Sequence, residues 1–109
     1  MYEFGTIVLV PFPFTDLTSA KVRPALIISK DAVHKEDVIL CFISSKEKGG
    51  GKHAVPIENT QETGLKVRSL IRFDKIATLN KKIILGELGR VHKAFLEKNR
   101  AKFYAVFGF

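Results

Sequence analysis

Short apolar runs alternate with polar or glycine-rich breaks along this chain, and that spacing is the signature of strands. Residues 5–12 are mostly β-branched and apolar and predict a first strand. Pro11 and Pro13 lack the N–H that a ladder needs, so this strand ends there or lies at an edge. A polar loop follows at 15–22, a second strand at 24–29, a polar connection at 31–37 and a third strand at 38–44. Residues 46–52 contain Gly49-Gly50-Gly51 and read as a loop of high backbone freedom. A fourth strand covers 53–57, ending at Pro56 or just after, and 59–64 reads as a turn. Residues 66–73 set Val67, Ser69, Ile71 and Phe73 against Arg68, Leu70 and Arg72, the alternation of a fifth strand. Residues 75–80 either prolong it or turn with Asn80 as a cap, and 82–90 predict a sixth strand weakened by Gly86 and Gly89.

The period changes near the end. Across 92–107, Val91, Phe95, Phe103, Val106 and Phe107 fall near one helical face, while Lys93, Lys98, Arg100 and Lys102 fall mostly elsewhere. The apolar stripe has a gap around 98–100. Five or six short strands followed by a helix predict a mainly β, α+β domain over 1–109: a small, strongly bent antiparallel sheet or barrel.

Composition narrows the function. The 109 residues carry 18 Lys+Arg against 11 Asp+Glu, a formal charge of +7, which favours an anionic partner and equally fits a soluble basic protein with a solvated face. Cys41 is the single cysteine and lies inside an apolar run, so it reads as a small buried hydrophobe; the lack of a disulfide framework fits a reducing cytoplasm. The N-terminal apolar run has no basic segment before it and is interrupted by Pro11, Pro13 and Asp16, unlike a signal peptide or a membrane span. His34, His53 and His92 stand apart from any ligand spacing, so no metal or other cofactor is expected. The triple glycine lacks the spacing of a phosphate loop, and there is no nucleophile elbow.

What remains is a polar set at strand ends. Arg23 is held extended by Pro24 where a loop meets a strand, a placement suited to gripping a phosphate. Ser44 and Ser45 end the third strand. Arg72 and Asp74, two apart, project from one face, and the cation keeps the carboxylate ionised. Such a carboxylate can take the proton of a 2′-hydroxyl while an arginine neutralises charge building on a phosphate, chemistry that needs no metal. The same spacing fits a structural ion pair with a hydrogen-bonded serine. Lys66 and Arg68 either track a phosphate backbone or keep the sheet soluble.

The segment Gly5-Thr6-Ile7-Val8-Leu9-Val10-Pro11-Phe12-Pro13-Phe14 followed by Arg23-Pro24-Ala25-Leu26-Ile27-Ile28-Ser29 resembles the opening of the PemK/MazF family of toxin endoribonucleases. Ile43-Ser44-Ser45 and the run from Ser69 to Asn80 resemble two further family segments, in the same order. The resemblance implies an SH3-like antiparallel β-barrel of the PemK/MazF/CcdB toxin type, working as a homodimer with no membrane role. It implies cleavage of single-stranded RNA at short sequences through a 2′,3′-cyclic phosphate and a free 5′-hydroxyl, and a cognate antitoxin with an acidic tail. By the same resemblance, Arg23 stabilises the transition-state phosphate, Ser44 stands at the active-site threonine of the MazF branch, and Arg72 and Asp74 match the Arg and Asp of the Kid branch. Lys21, Ser45, Lys46, Lys66 and Arg68 are the expected RNA contacts. The first loop carries no histidine, and Asn80 stands where an aspartate is usual. A reading from another class uses the same barrel: a CcdB-like toxin that poisons DNA gyrase and cleaves nothing. The chain ends Val106-Phe107-Gly108-Phe109 without the Trp of that branch.

Overall fold

A computed structural model describes residues 2–12, 21–30, 35–45 and 51–108. Six strands form one antiparallel sheet: β1 (Thr6–Phe12), β2 (Lys21–Ile27), β3 (Asp37–Ser44), β4 (Ala54–Ile57), β5 (Ser69–Asn80) and β6 (Gly86–Arg90), in the order β4-β5-β3-β2-β1-β6. β1 is thus an interior strand that stops at Phe12, next to Pro13. Both faces of the sheet are covered. Ile7, Leu26, Cys41, Ile43, Val55 and Ile71 pack on one side, and Val8, Val10, Ala25, Ile27, Leu40 and Phe42 on the other. That is why β1 to β3 read as continuous apolar runs rather than as clean alternation: every position must be apolar when both faces are dry. Burial pushes the Cys41 thiol up to about 12, and it behaves as core.

The structure decides one alternative that the sequence leaves open and corrects one expectation. β5 runs on through residues 75–80, and its partner β3 matches it to Asn80, so the strand is 12 residues long. The expected single helix is two short ones, α1 (Lys93–Lys98) and α2 (Arg100–Ala105), divided at Asn99. The Asn99 side chain donates Nδ2–H to the Phe95 carbonyl at 2.9 Å, the local bonding with which asparagine competes against a continuing helix. The division falls at the gap in the apolar stripe. It lets Phe95 and Leu96 before it, and Phe103 and Val106 after it, reach the same core.

The sheet curls until its two edges nearly meet, and the turn after β4 closes the gap. Arg90 of β6 donates its backbone N–H to the Glu62 carbonyl at 2.9 Å. β6 bulges at Leu88, because Ile7 pairs with Gly89 while Val8 pairs with Glu87. Gly64, at φ +70°, lies directly on the Leu88 backbone, and Gly89 lies on Glu62 and Thr63. Thr63 organises the turn: its Oγ1 accepts from the Thr60 N–H at 3.0 Å and donates to the Glu58 carbonyl at 2.9 Å, and its own N–H donates to Thr60 Oγ1 at 3.1 Å. Thr63 is buried, so Thr63→Val strands the Thr60 amide and the Glu58 carbonyl. A loss of about 1–3 kcal/mol in urea unfolding is expected, and an unchanged midpoint would show that the seam does not depend on this hydroxyl.

Candidate active site

The ladder registers bring the sequence-predicted catalytic residues to one face. Ala25 pairs with Phe42, and Phe42 pairs with Arg72, so these three side chains share a side of the sheet. Arg23 lies two residues before Ala25 and Ser44 two residues after Phe42, and steps of two keep the face. Continued past the paired stretch, the same register sets Arg23 opposite Ser44. Arg23 and Ser44 are half-buried, at strand ends that a rigid sheet holds.

Arg72 and Asp74 form a two-pronged ion pair. Nε–H donates to Oδ1 at 3.0 Å and Nη2–H to Oδ2 at 2.8 Å. The side chains are 18% and 33% exposed, so the pair meets solvent on one side and a ligand can reach it. The guanidinium hydrogen bonds hold the Asp74 carboxyl below its ordinary value, with a further contribution from the charge of Lys75. The same bonds raise Arg72 further above its already high value, which makes it a fixed cation rather than a proton donor. Two of its N–H groups serve Asp74, leaving donors that can face an anion.

The expected RNA contacts separate into groups. Arg23, Ser45 and Lys66 border one cavity of about 320 Å³, walled by Leu9, Pro24 and Leu65 among others; none of its described lining residues is acidic. Arg68 ion-pairs with Glu58 at 2.8 Å on the surface. Lys66 and Arg68 do not lie on β5 as expected: the strand begins at Ser69, opposite Ile57, because the residues before it serve the seam turn. Lys21 is exposed at the start of β2, opposite Phe12. Lys46, and likewise His34, lie outside the described residues. Val22 and Val67, each 52% exposed, line the cavity mouth and were not singled out. The signal available for the first was an apolar residue between two cations in Lys21-Val22-Arg23. Among the described residues, no cluster of His, Cys, Asp and Glu could hold a metal ion, and no helix is long and apolar enough to cross a membrane.

The family model described as PemK-like, MazF-like toxin of type II toxin–antitoxin system matches residues 3–107. No match is found among curated proteins. Among solved structures, an endoribonuclease from a Mycobacterial species, in complex with its cognate antitoxin, superposes with a TM-score of 0.77 at 20% identity, over 100% of this chain and 97% of that one. MazE–MazF from Deinococcus radiodurans gives a TM-score of 0.79 at 20% identity, covering 99% of this chain and 96% of that one. The Mycobacterium tuberculosis toxin MazF-mt6 gives 0.73 at 20% identity, covering 94% and 95%. At these identities the superpositions speak to the fold.

Proposed function

The chain belongs to the PemK-like, MazF-like toxin family of type II toxin–antitoxin systems, and from that premise we propose that it is a metal-independent endoribonuclease acting on single-stranded RNA. The observation that carries this reading is the Arg72–Asp74 fork, on the sheet face that also bears Arg23 and Ser44. Asp74, kept ionised by its partner, accepts the proton of a ribose 2′-hydroxyl. The 2′-oxygen attacks phosphorus, the bond to the 5′-oxygen breaks, and that oxygen takes a proton from water. The products are a 2′,3′-cyclic phosphate and a 5′-hydroxyl. Arg23 and the remaining donors of Arg72 neutralise the charge that grows on the non-bridging oxygens, and the Ser44 hydroxyl orients the phosphate. RNA phosphates continue past Lys66 and Ser45 at the cavity that Arg23 borders.

Two structural neighbours carry names that pair the toxin with an antitoxin. A chain at +7 suits both an RNA strand and an acidic inhibitory segment competing for one basic surface. The proposed working form is a cytoplasmic homodimer held in check by such an antitoxin, and the cleavage of mRNA stops translation when that antitoxin is lost.

The test is to incubate the purified chain with a long unstructured RNA in excess EDTA and map the ends. Cuts at a recurring short sequence with 5′-hydroxyl ends are expected. RNA that stays intact with and without divalent metal would overturn the reading and move the assignment to a binding toxin; cleavage only when EDTA is absent would overturn metal independence.

A further inference from the structure

Asp74, unlike its partner Arg72, stands on backbone that the ladders of the sheet do not hold. Cys41 and Phe42 are consecutive on β3, yet they pair with Ile76 and Arg72 on β5. Phe73, Asp74 and Lys75 therefore bulge out of that ladder with no partner on β3. β4 supplies none either, since its ladder with β5 begins at Ala54, opposite Arg72. A bulge re-aims side chains, but one without ladder bonds on either side needs another anchor to aim them reproducibly.

The anchor is aromatic. Phe73 is 3% exposed and turns into the core on the side away from its two charged neighbours. Its ring meets Phe103 of α2 edge to face, with centroids 5.5 Å apart and planes at 81°. Phe103 is held in turn by Phe107, edge-on at 5.2 Å. We propose that Phe103 is a positioning residue for the candidate catalytic pair: by gripping Phe73 from the C-terminal helix, it fixes the bulge that aims the Asp74 carboxylate along Arg72. The proposal rests on the reading of Asp74 as the base. The physical argument is leverage. Phe73 sits between Arg72 and Asp74, so any rotation of an unanchored bulge swings those two side chains relative to each other, and a two-pronged fork with contacts of 3.0 and 2.8 Å tolerates little of that.

The charges acting on Asp74 are those of Arg72 and Lys75, both on β5. Replacing the Phe103 ring removes no charge, so a change in the Asp74 titration reports geometry. The experiment uses the full chain with Phe103→Leu, Phe103→Tyr and Phe95→Leu. Phe95 packs on the same core from α1 and serves as a control for simple loosening. The Asp74 carboxyl is titrated by carbon-detected NMR, and cleavage is measured against pH with kcat and KM separated.

In Phe103→Leu, the Asp74 midpoint is expected to rise by about 0.5–1 pH unit as the fork loosens, with kcat down about tenfold and KM unchanged. Phe103→Tyr keeps the ring and restores both. Phe95→Leu lowers the unfolding temperature but leaves the Asp74 midpoint in place. Should Phe103→Leu fail to fold, Phe103→Met, whose flexible side chain fills irregular gaps, carries the same test. An Asp74 midpoint unmoved in a folded Phe103 variant overturns the proposal, as does an equal shift in Phe95→Leu. A shifted midpoint together with Asp74→Asn cleaving at the parental rate supports the positioning role while removing the catalytic reading, so the two fail separately.

Discussion

Asp74→Asn is expected to lower RNA cleavage by about 10²–10⁴-fold while leaving the chain folded and RNA binding intact. The substitution removes the group proposed to take the 2′-hydroxyl proton and turns one prong of the fork into donor against donor, since the new amide N–H₂ faces the guanidinium. Stability changes little, because the pair is partly open to water and such pairs contribute about 1 kcal/mol or less. Binding holds or tightens, because one negative charge leaves a surface that meets phosphates. The pH dependence has a definite sign. The Asp74 carboxyl is held below its ordinary value in the folded chain, so the stability it contributes is complete above the ordinary carboxylate pKa and is lost as pH falls through the depressed folded value. In the free enzyme, the acid limb of kcat/KM should likewise lie below the usual carboxylate range. Arg72→Lys makes a useful second arm: it keeps a positive charge but not the fork, so the acid limb moves up toward an ordinary carboxylate. Single-turnover cleavage across pH, at subsaturating RNA for the kcat/KM limb and at saturating RNA for the chemical step, reads the kinetic effects. An Asp74→Asn chain that cleaves at the parental rate would make the fork a structural ion pair and place the base elsewhere.

Much of this site is legible in the sequence because its residues are named by strand grammar. Pro24 fixes the setting of Arg23, Ser44 ends an apolar run, and the i, i+2 spacing of Arg72 and Asp74 puts both on one side; the fork between them is what that spacing asks for. The shared face of Arg23, Ser44 and Arg72 was not legible, because it depends on how β2, β3 and β5 slide past one another. Register is a property of pairs of strands, which no single segment records. The bulge at Phe73 to Lys75 is hidden for the same reason: it exists only relative to β3, and local alternation through residues 66–73 leads into it unmarked. The place of Lys66 was misjudged through that same alternation, which continues before Ser69 although the backbone there serves the seam turn. The helix end shows the opposite case. Its interrupted stripe, with Asn99 in the gap, carried the division into α1 and α2, and the asparagine's own bond to Phe95 explains it.

Gly89→Ala is expected to destabilise the fold by about 3 kcal/mol or more, at the upper end of what overpacking costs. A methyl group built at Gly89 falls on the Glu62 carbonyl oxygen and lies 2.6 Å from both the carbonyl carbon and oxygen of Thr63. All of these are backbone atoms, so no rotamer change can relieve the contact. Either β6 moves off β1 or the seam turn moves off β6. The turn is the weaker partner, held across the seam by the Arg90–Glu62 backbone bond and an exposed His92–Glu62 side-chain contact at 2.9 Å. Gly86, on the same strand, has nothing within 4 Å of its added methyl, so Gly86→Ala controls for the entropy gained by replacing any glycine. In a thermal scan Gly89→Ala should unfold more than about 10 °C below the parent, with Gly86→Ala close to it. Equal unfolding temperatures for the two would mean that the seam opens at no cost and that the close contact does not hold the barrel. The consequence reaches the site. Leu65 and Lys66 follow Gly64 out of this turn and line the cavity beside Arg23, so a seam pushed open by one methyl group shifts the cation expected to hold the RNA strand. At temperatures where Gly89→Ala is still folded, RNA affinity should therefore fall while the Asp74 titration, set across the sheet at the Phe73 bulge, stays where it was.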